Sequence, residues 1–449
     1  MRSKNLNKRH MENEAAILSN KEKLYRRRKQ LVPNAVGIFN PSSVVEAHGA
    51  IMIDADGNEL IDFAGGIGVI NAGHCPPPVV AAIQQQAEKL IHSSFNVALY
   101  EVYLDLATEM VKLLPHGKAT KVMFLNSGAE AVENAIKIAR QATKRNAIIA
   151  YEGAFHGRTM MAMSLTSKVA YKAGCGPFAP EVYRLPYPAY SKQKHNMPEE
   201  KFAADEIKRL KQFFKTHVRA EDVAAIIIEL VQGEGGFYVA SKPYIKALKK
   251  LCDEHGILLI FDEVQSGFGR TGKWAAYEHF DVLPDISTWA KSMGSGMPIA
   301  AVMGKANIMD AAAPSTLGGT YAGNPVACAA SLATLQYMQE IDINALGEKV
   351  GKIVYERFRH FQQAYPSLIG EVRGLGAMLA FDVIKNGDWN EPNATATQQI
   401  ITSCAEKGLV IISAGVNANV IRILSPLVIE ETLLHKGLDI LEQVINEIA

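Results

Sequence analysis

The stretch ILLIFDEVQ, residues 257–265, decides the fold class. Its five leading apolar residues show no polar alternation, which is typical of a strand buried on both faces of a parallel sheet. The runs KVMFL at 121–125 and AAIIIEL at 224–230 have the same character. Patterns of helical period lie between such runs, over 129–140 and 242–255. The chain is therefore predicted to be an α/β protein whose large domain has a mainly parallel sheet.

Shorter elements flank this region. Residues 40–63 contain the turn DADGN at 54–58 between apolar runs, which is a hairpin signal. From about residue 327 to 364 the pattern is helical, and short strands and a helix from about Glu430 follow. We predict three parts: an N-terminal arm and segment packing with the small domain (1–70), the large domain (71–326) and a C-terminal small α/β domain (327–449).

Composition and charge exclude several classes of protein. The 449 residues carry 47 Lys+Arg against 46 Asp+Glu, and 48% of them are hydrophobic. That is typical of a folded globular chain and provides no broad basic face for nucleic acid. No run approaches the ~20 apolar residues of a membrane span. Five scattered cysteines without a CxxC pair support neither a disulfide framework nor a metal site, so a cytoplasmic protein without a metal is expected.

Polar residues that follow the strands are the first candidates for function, because ligands bind beyond the carboxyl ends of parallel strands. Asp262 ends the most apolar run, where a carboxylate either caps the next loop or faces a protonated nitrogen of a ligand. NSGAE at 126–130 begins a helix whose free amides could bind phosphate, although many helices begin with serine and bind nothing. FHGRT at 155–159 offers an aromatic ring and an arginine, suited to a carboxylate or to a simple salt bridge.

Two further motifs concern a lysine and a glycine-rich loop. Lys291 lies among small residues in AKSMGSG at 290–296. A desolvated lysine near other cations becomes a Schiff-base nucleophile, whereas a lone lysine is usually on the surface. GFGRTGK at 267–273 nearly matches a P-loop, but Trp274 stands where a hydroxyl residue would hold magnesium, so we reject a nucleotide triphosphatase.

Several of these motifs occur together in the order and spacing of one family. The chain resembles the class III pyridoxal-phosphate aminotransferases from about residue 30 to its C-terminus. The motifs that carry the resemblance are NSGAE (126–130), FHGRT (155–159), ELVQGEG (229–235), DEVQ (262–265) and Lys291. Within the class, the segments most similar to enzymes acting on 4-aminobutyrate are 63–67, 231–237, 318–325 and 422–427.

The resemblance implies a fold-type I enzyme that carries pyridoxal 5'-phosphate. Lys291 would attach the cofactor covalently and then move the proton, and Asp262 would pair with the pyridinium nitrogen. The phosphate would be held by Ser127, Gly128 and Ala129. Thr320 of a second subunit would also reach it, which implies a homodimer and leaves larger assemblies, such as a tetramer of dimers, open. The remaining residues implied for the cofactor pocket are Phe155 stacking on the ring, Val264 on its other face, Gln265 at its phenolic oxygen, and His156 and Glu229 in the wall.

The resemblance also implies how amino acids and 2-oxo acids bind. Arg158, with Ile67 beside it, would bind the carboxylate distant from the reacting carbon. Arg422 would bind the carboxylate next to that carbon in glutamate and 2-oxoglutarate. When 4-aminobutyrate is bound there is no such carboxylate, and Glu234 would neutralise Arg422. The implied reaction converts 4-aminobutyrate and 2-oxoglutarate to succinate semialdehyde and glutamate by a ping-pong mechanism.

Two other functions and two departures from the family pattern stay open. The enzyme could act on 5-aminovalerate, β-alanine, ornithine or acetylornithine, or the fold could serve as the ligand-binding module of a non-catalytic regulator. The first 30 or so residues are too short for a DNA-binding domain, and the presence of both Lys291 and Asp262 favours an enzyme. Phe155 stands where many relatives carry tyrosine, and Leu230 replaces a usual proline.

Overall fold

The computed structural model describes residues 18–191 and 196–449. The first 17 residues of the predicted arm lie outside the described residues. The next part of the arm is a helix, Asn20–Leu31, that the sequence analysis did not predict. The Ser19 hydroxyl accepts from the Glu22 amide and the Glu22 carboxylate accepts from the Ser19 amide. This reciprocal cap stabilises the helix. Because the helix buries no residue, its sequence lacks the regularly spaced apolar positions from which a helix is predicted.

The strands form three sheets in the described chain. In chain order they are β1 (Glu46–His48), β2 (Ile51–Ile53), β3 (Glu59–Asp62), β4 (Thr120–Leu125), β5 (Ala147–Tyr151), β6 (Val182–Leu185), β7 (Val223–Ile228), β8 (Leu258–Asp262), β9 (Ile286–Trp289), β10 (Ala300–Lys305), β11 (Ile369–Leu375), β12 (Met378–Lys385), β13 (Asp388–Pro392), β14 (Leu409–Val410), β15 (Ile412–Ala414) and β16 (Val420–Ile423).

Helices cover these sheets. They are α1 (Asn20–Leu31), α2 (Gly65–Gly68), α3 (Pro77–Lys89), α4 (Glu101–Leu113), α5 (Gly128–Thr143), α6 (Met160–Leu165), α7 (Glu199–Thr216), α8 (Lys242–His255), α9 (Ala306–Met309), α10 (Pro325–Glu340), α11 (Ile343–Ala364), α12 (Ala394–Glu406) and α13 (Glu431–Ile448). Within the described ranges, no helix has both the length and the apolar character needed to cross a membrane.

The main sheet is mainly parallel, as predicted. Its spatial order is β4-β10-β9-β8-β7-β5-β6, and β10 pairs antiparallel with both of its neighbours while the other pairings are parallel. The strands other than β10 therefore end at the same edge. Asn126, Glu229 and Asp262, which follow or end three of them, are brought to that edge.

The main sheet is buried on both faces, which explains its unbroken apolar runs. Every residue of β5 and β7 is buried. Ile226 belongs to one buried apolar cluster with Leu248 of α8, whereas Ile227 belongs to a second cluster with Val132 of α5. Burying each such side chain contributes roughly 1.5–3 kcal/mol of transfer free energy. The prediction of a sheet covered by helices on both faces is thus confirmed.

The N-terminal segment is joined to the C-terminal part by hydrogen bonds between strands. The sheet β1-β2-β3-β14 pairs β3 with β14 in parallel. This pairing supports placing residues up to 70 with the small domain, although α10 packs against α3 and α4 of the large domain. The division into three parts stays a prediction.

The C-terminal sheet, β11-β12-β16-β15 with β13 beside β12, carries Arg422 on β16. Strands β11, β12 and β16 correspond to short strands expected after residue 364, whereas α12 and the short strands β13 to β15 were not predicted. Helix α12, ATATQQIITSCAE, is rich in β-branched residues, which weakens the helical pattern. The Asn393 side chain caps it by accepting from the Ala396 amide.

Candidate active site

A cavity of about 470 Å³ opens at the carboxyl edge of the main sheet. Most of the predicted site residues line it: Ser127, Gly128, Ala129, Phe155, His156, Arg158, Glu229, Glu234, Asp262, Val264, Gln265 and Lys291. Arg422 lies behind Glu234, and Ile67 contributes its carbonyl oxygen, 3.4 Å from Gln265 Nε2. Thr320 is exposed and does not line the cavity, so its role across a dimer stays a prediction.

The start of α5 forms one end of the cavity. The Ser127 hydroxyl accepts from the Glu130 amide at 3.3 Å, and the Glu130 carboxylate accepts from the Ser127 amide at 3.0 Å. The amides of the first turn of a helix have no acceptor within the helix and bind anions well. A Cβ at Gly128 would lie 3.0 Å from a methyl of Val264, a tight contact that glycine avoids. This end of the cavity fits a phosphate group.

Asp262 is held by His156 at the end of β8. Its Oδ2 lies 2.7 Å from His156 Nδ1, and its Oδ1 accepts from the Val264 amide. The Thr166 hydroxyl accepts from the His156 amide at 3.0 Å and helps to place the ring. A carboxylate only 5% exposed and facing a cavity is suited to a protonated ring nitrogen. From the sequence, His156 was assigned only to the wall of the cofactor pocket. Thr166 was not identified, because it lies in no recognised motif.

Glu229 connects two loops of the site. Its carboxylate accepts from the amides of Phe155 at 2.9 Å and Gly233 at 2.7 Å. Burial raises the pKa of Glu229 to about 7, against the lowering effect of nearby His156. Tyr187, another residue that no motif indicated, donates to the Glu229 carbonyl oxygen at 2.7 Å. Glu229 therefore fixes the positions of the loops that carry Phe155 and Glu234.

Lys291 follows β9 and lies half-buried in the cavity wall. Its φ is +49°, a left-handed conformation that costs of order 1–3 kcal/mol in a non-glycine residue and is concentrated at functional sites. Burial lowers the pKa of its amine to about 8, with Glu234 opposing this shift and Arg422 adding to it. Lys291 is thus a partly deprotonated amine near neutral pH, the form that attacks a carbonyl.

The Gln265 side chain has a buried oxygen, Oε1, with no hydrogen-bond partner among the described residues. Its Nε2 has two hydrogens and makes only the long 3.4 Å contact to the Ile67 carbonyl oxygen, so the amide can also donate to a ligand oxygen. Phe155 stands half-buried on the wall, edge-on to Tyr171 with 5.2 Å between ring centroids. The start of α5, the buried carboxylate of Asp262, the side-chain amide of Gln265 and the amine of Lys291 together fit pyridoxal phosphate.

Arg422 and Glu234 form a buried ion pair. Arg422 is 2% exposed, and its Nη2 lies 2.6 Å from Glu234 Oε1. Its Nη1 donates to the Gly233 carbonyl oxygen at 3.2 Å, while its Nε is buried and has no hydrogen-bond partner in the part of the chain that the structure describes. Burial alone would raise the pKa of Glu234, but the Arg422 guanidinium holds it below its usual value. Glu234 is therefore ionised and neutralises Arg422.

Arg158 is the second cation of the site. It is exposed, and within residues 18–191 and 196–449 it has no ion pair. Its Cζ lies 4.7 Å from the ring centroid of Tyr171 and 5.9 Å from that of Phe155. A guanidinium held by aromatic rings and lacking a carboxylate partner is available to bind one from solution.

Comparisons with known proteins agree with this geometry. Residues 34–445 match the family model for aminotransferase class-III. The chain is 47% identical over 417 residues to a probable 4-aminobutyrate aminotransferase of Bacillus subtilis, covering 93% of this chain and 95% of that protein. It is 46% identical over 429 residues to a 5-aminovalerate aminotransferase of Pseudomonas aeruginosa, covering 95% and 99%.

A solved structure extends the comparison to three dimensions. The taurine:2-oxoglutarate aminotransferase of Bifidobacterium kashiwanohense, in complex with PLP and glutamate, superposes with a TM-score of 0.88 at 28% identity, covering 96% of this chain and 98% of that one. The match of the family model spans both the main sheet and the C-terminal sheet. The chain therefore belongs to the class-III aminotransferases and is a fold-type I transaminase that depends on pyridoxal phosphate.

Proposed function

We propose that this transaminase moves the amino group of 4-aminobutyrate to 2-oxoglutarate, giving succinate semialdehyde and glutamate. The observation that carries the proposal is the pairing of Arg422 with Glu234 beside Arg158, which has no carboxylate partner among residues 18–191 and 196–449. Arg158 is thus available to bind a carboxylate, whereas Arg422 becomes available only when Glu234 moves.

This arrangement suits substrates with one carboxylate and substrates with two. Arg158 binds the distal carboxylate of either kind. With 4-aminobutyrate, Arg422 keeps Glu234 as its partner, which avoids a buried unpaired guanidinium that would cost several kcal/mol. With glutamate or 2-oxoglutarate, the second carboxylate replaces Glu234 on Arg422. The two half-reactions can therefore share one cavity.

The residues around the ring have defined tasks in this proposal. Pyridoxal phosphate, when bound, supplies a carbonyl group for the amine and a ring that takes up electrons from the reacting carbon. Asp262 keeps the ring nitrogen protonated, and His156 keeps Asp262 in place. Lys291 holds the cofactor and later takes and returns the proton at the reacting carbon. The residues proposed to orient the ring and its phosphate are Ser127, Gly128, Ala129, Phe155, Val264 and Gln265.

We also propose a homodimer in which Thr320 of one subunit reaches the phosphate of the other. Its exposed position supports this assignment. A cytoplasmic location stays a prediction that rests on the five cysteines, all free thiols.

A second candidate substrate is 5-aminovalerate, which is longer than 4-aminobutyrate by one methylene. Relatives named for the two substrates are about equally similar to this chain. One methylene in a hydrophobic pocket changes discrimination by only ~1–3 kcal/mol, so both can be turned over.

The test is a comparison of amine donors on the purified holoenzyme. Single-turnover rates would be measured with 4-aminobutyrate, 5-aminovalerate, β-alanine, ornithine and acetylornithine, followed by 2-oxoglutarate as acceptor. We expect the highest kcat/KM with 4-aminobutyrate. A tenfold higher value with any other donor would replace the proposed substrate.

A further inference from the structure

Tyr171 contacts Arg158 directly and is connected to Arg422 through Glu234. Its hydroxyl donates to Glu234 Oε2 at 2.9 Å, while Glu234 Oε1 lies on Arg422. Its ring lies 4.7 Å from Arg158 Cζ and 5.3 Å from Lys168 Nζ. Tyr171 belongs to a short helical turn, Val169–Tyr171, and not to any motif that indicated function.

The main chain around Glu234 is fixed, so only its side chain is free to move. The Gly233 amide donates to Glu229 at 2.7 Å, and the Glu234 carbonyl accepts from the Gly415 amide at 2.9 Å. The Gly236 carbonyl accepts from Arg373 Nε at 2.7 Å. Release of Arg422 is therefore a rotation of the Glu234 side chain, which its two oxygen contacts resist.

We infer that Tyr171 is a specificity-determining positioning residue that holds Glu234 on Arg422 and so favours donors with a single carboxylate. Both oxygens of Glu234 are satisfied together only while its carboxylate lies between the hydroxyl of Tyr171 and the guanidinium of Arg422. The inference rests on the proposed function, since it concerns the choice between 4-aminobutyrate and glutamate.

The charges around the Tyr171 hydroxyl keep it a donor. Burial and the neighbouring Glu234 raise the pKa of Tyr171 to about 12, while Arg422 and Arg158 lower it less. Lys168 lies on the other side of this cluster, with its amine donating to the Gly415 carbonyl at 3.0 Å. A hydroxyl that stays protonated can donate to Glu234 throughout the pH range of the assay.

The experiment compares Tyr171→Phe with the wild-type holoenzyme. The phenylalanine ring still contacts Arg158, but the hydrogen bond to Glu234 is lost. We expect the ratio of kcat/KM for 4-aminobutyrate to that for glutamate to fall about tenfold, because hydrogen bonds to charged groups contribute on that scale. Rates are taken per bound cofactor in single turnover, so any loss of cofactor cancels in the ratio.

Tyr183→Phe is the matched control. The Tyr183 hydroxyl also donates to a glutamate, Glu181, at 2.9 Å, but the pair is exposed and outside the cavity. We expect its ratio to equal that of the wild type. Tyr171→Leu removes the ring as well, and we expect it to slow both donors through Arg158 while the ratio still falls.

Each outcome separates the two proposals. If wild-type enzyme does not turn over 4-aminobutyrate, the proposed function fails. If it does, and the ratio in Tyr171→Phe stays within threefold of wild type or rises, the role of Tyr171 is overturned and the proposed function stands. Equal losses with both donors leave the ratio unchanged and count against Tyr171 in the same way.

Discussion

Replacing Glu234 by glutamine tests the carboxylate exchange at Arg422. The glutamine oxygen can still accept from Nη2, but the negative charge that faces Arg422 is removed. Opposite charges about 4 Å apart are worth roughly 4 kcal/mol at the effective dielectric of a protein. Because an amide is also easier to bury than a carboxylate, we expect a net cost of ~2–3 kcal/mol. This cost falls on the free enzyme, which already has the Arg422–Glu234 pair, and on complexes in which the substrate brings no carboxylate to Arg422; only complexes with glutamate or 2-oxoglutarate avoid it.

The expected result is a change in donor preference. At ~1.4 kcal/mol per factor of ten, Glu234→Gln should lose roughly 30- to 150-fold in kcat/KM for 4-aminobutyrate relative to glutamate. Glutamate supplies its own carboxylate to Arg422 and should be affected little or even react faster. Arg422→Ala should do the reverse and harm glutamate more. The measurement is single-turnover absorbance change of the holoenzyme with each donor separately.

A glutamate that pairs with an arginine far from the site provides the control. Glu442 Oε2 accepts from Arg357 Nε at 3.0 Å between α13 and α11. Glu442→Gln removes the same kind of charge and should leave the donor ratio unchanged. Equal losses with both donors in Glu234→Gln would show that Glu234 is only structural, and the exchange mechanism would have to be abandoned.

Three further predictions concern the chemistry of the cofactor. Borohydride reduction of the holoenzyme should fix the cofactor on Lys291, and peptide mapping that finds it on another lysine would contradict the assignment. Asp262→Asn should slow turnover by ~100-fold or more because the charge facing the ring nitrogen is lost, with cofactor content falling less than rate; near wild-type turnover would refute this role. Since the neutral amine is the nucleophile and burial lowers the pKa of Lys291 to about 8, recombination of apoenzyme with cofactor should accelerate as pH rises through about 8; a rate that is flat from pH 6 to 10 would argue against it.

The sequence predicted the part of the site that follows strands of the main sheet. Asp262 ends a buried apolar run, so its position at the carboxyl edge follows from parallel pairing. Lys291 was identified instead from its small neighbours and the family resemblance, because the strand before it, ISTW, contains two hydroxyl residues and was not predicted. Tyr171 could not be predicted in this way. It meets Glu234 across 63 positions through a loop whose path no local pattern specifies. The hydrogen bonds by which Glu229 holds two loops likewise depend on three-dimensional packing, which no local sequence pattern specifies.

The helices and strands likewise divide into those that a local sequence pattern predicts and those that it does not. Strands β7 and β8 were predicted because their burial leaves apolar runs without polar alternation. Strands β9 and β10 are also buried but were not predicted. Helix α1 was missed because it buries nothing, and α12 because threonine and isoleucine dilute its helical character. Reciprocal and side-chain caps stabilise both, and these caps are visible only once the helix ends are known.

The pairing of β3 with β14 has a consequence for the substrate-binding region. Ile67 lies just after β3 and Arg422 lies on β16, so both belong to parts of the chain outside the main sheet. The groups proposed to hold the cofactor follow strands of the main sheet. Ile67 and Arg422 are thus built on a separate piece of scaffold from the proposed cofactor site, whereas Arg158 and Glu234 follow β5 and β7 of the main sheet. A shift of β16 relative to the main sheet would therefore move Arg422 and Ile67 together against a stationary Asp262 and Lys291, which couples the width of the substrate-binding region to the packing between the two sheets.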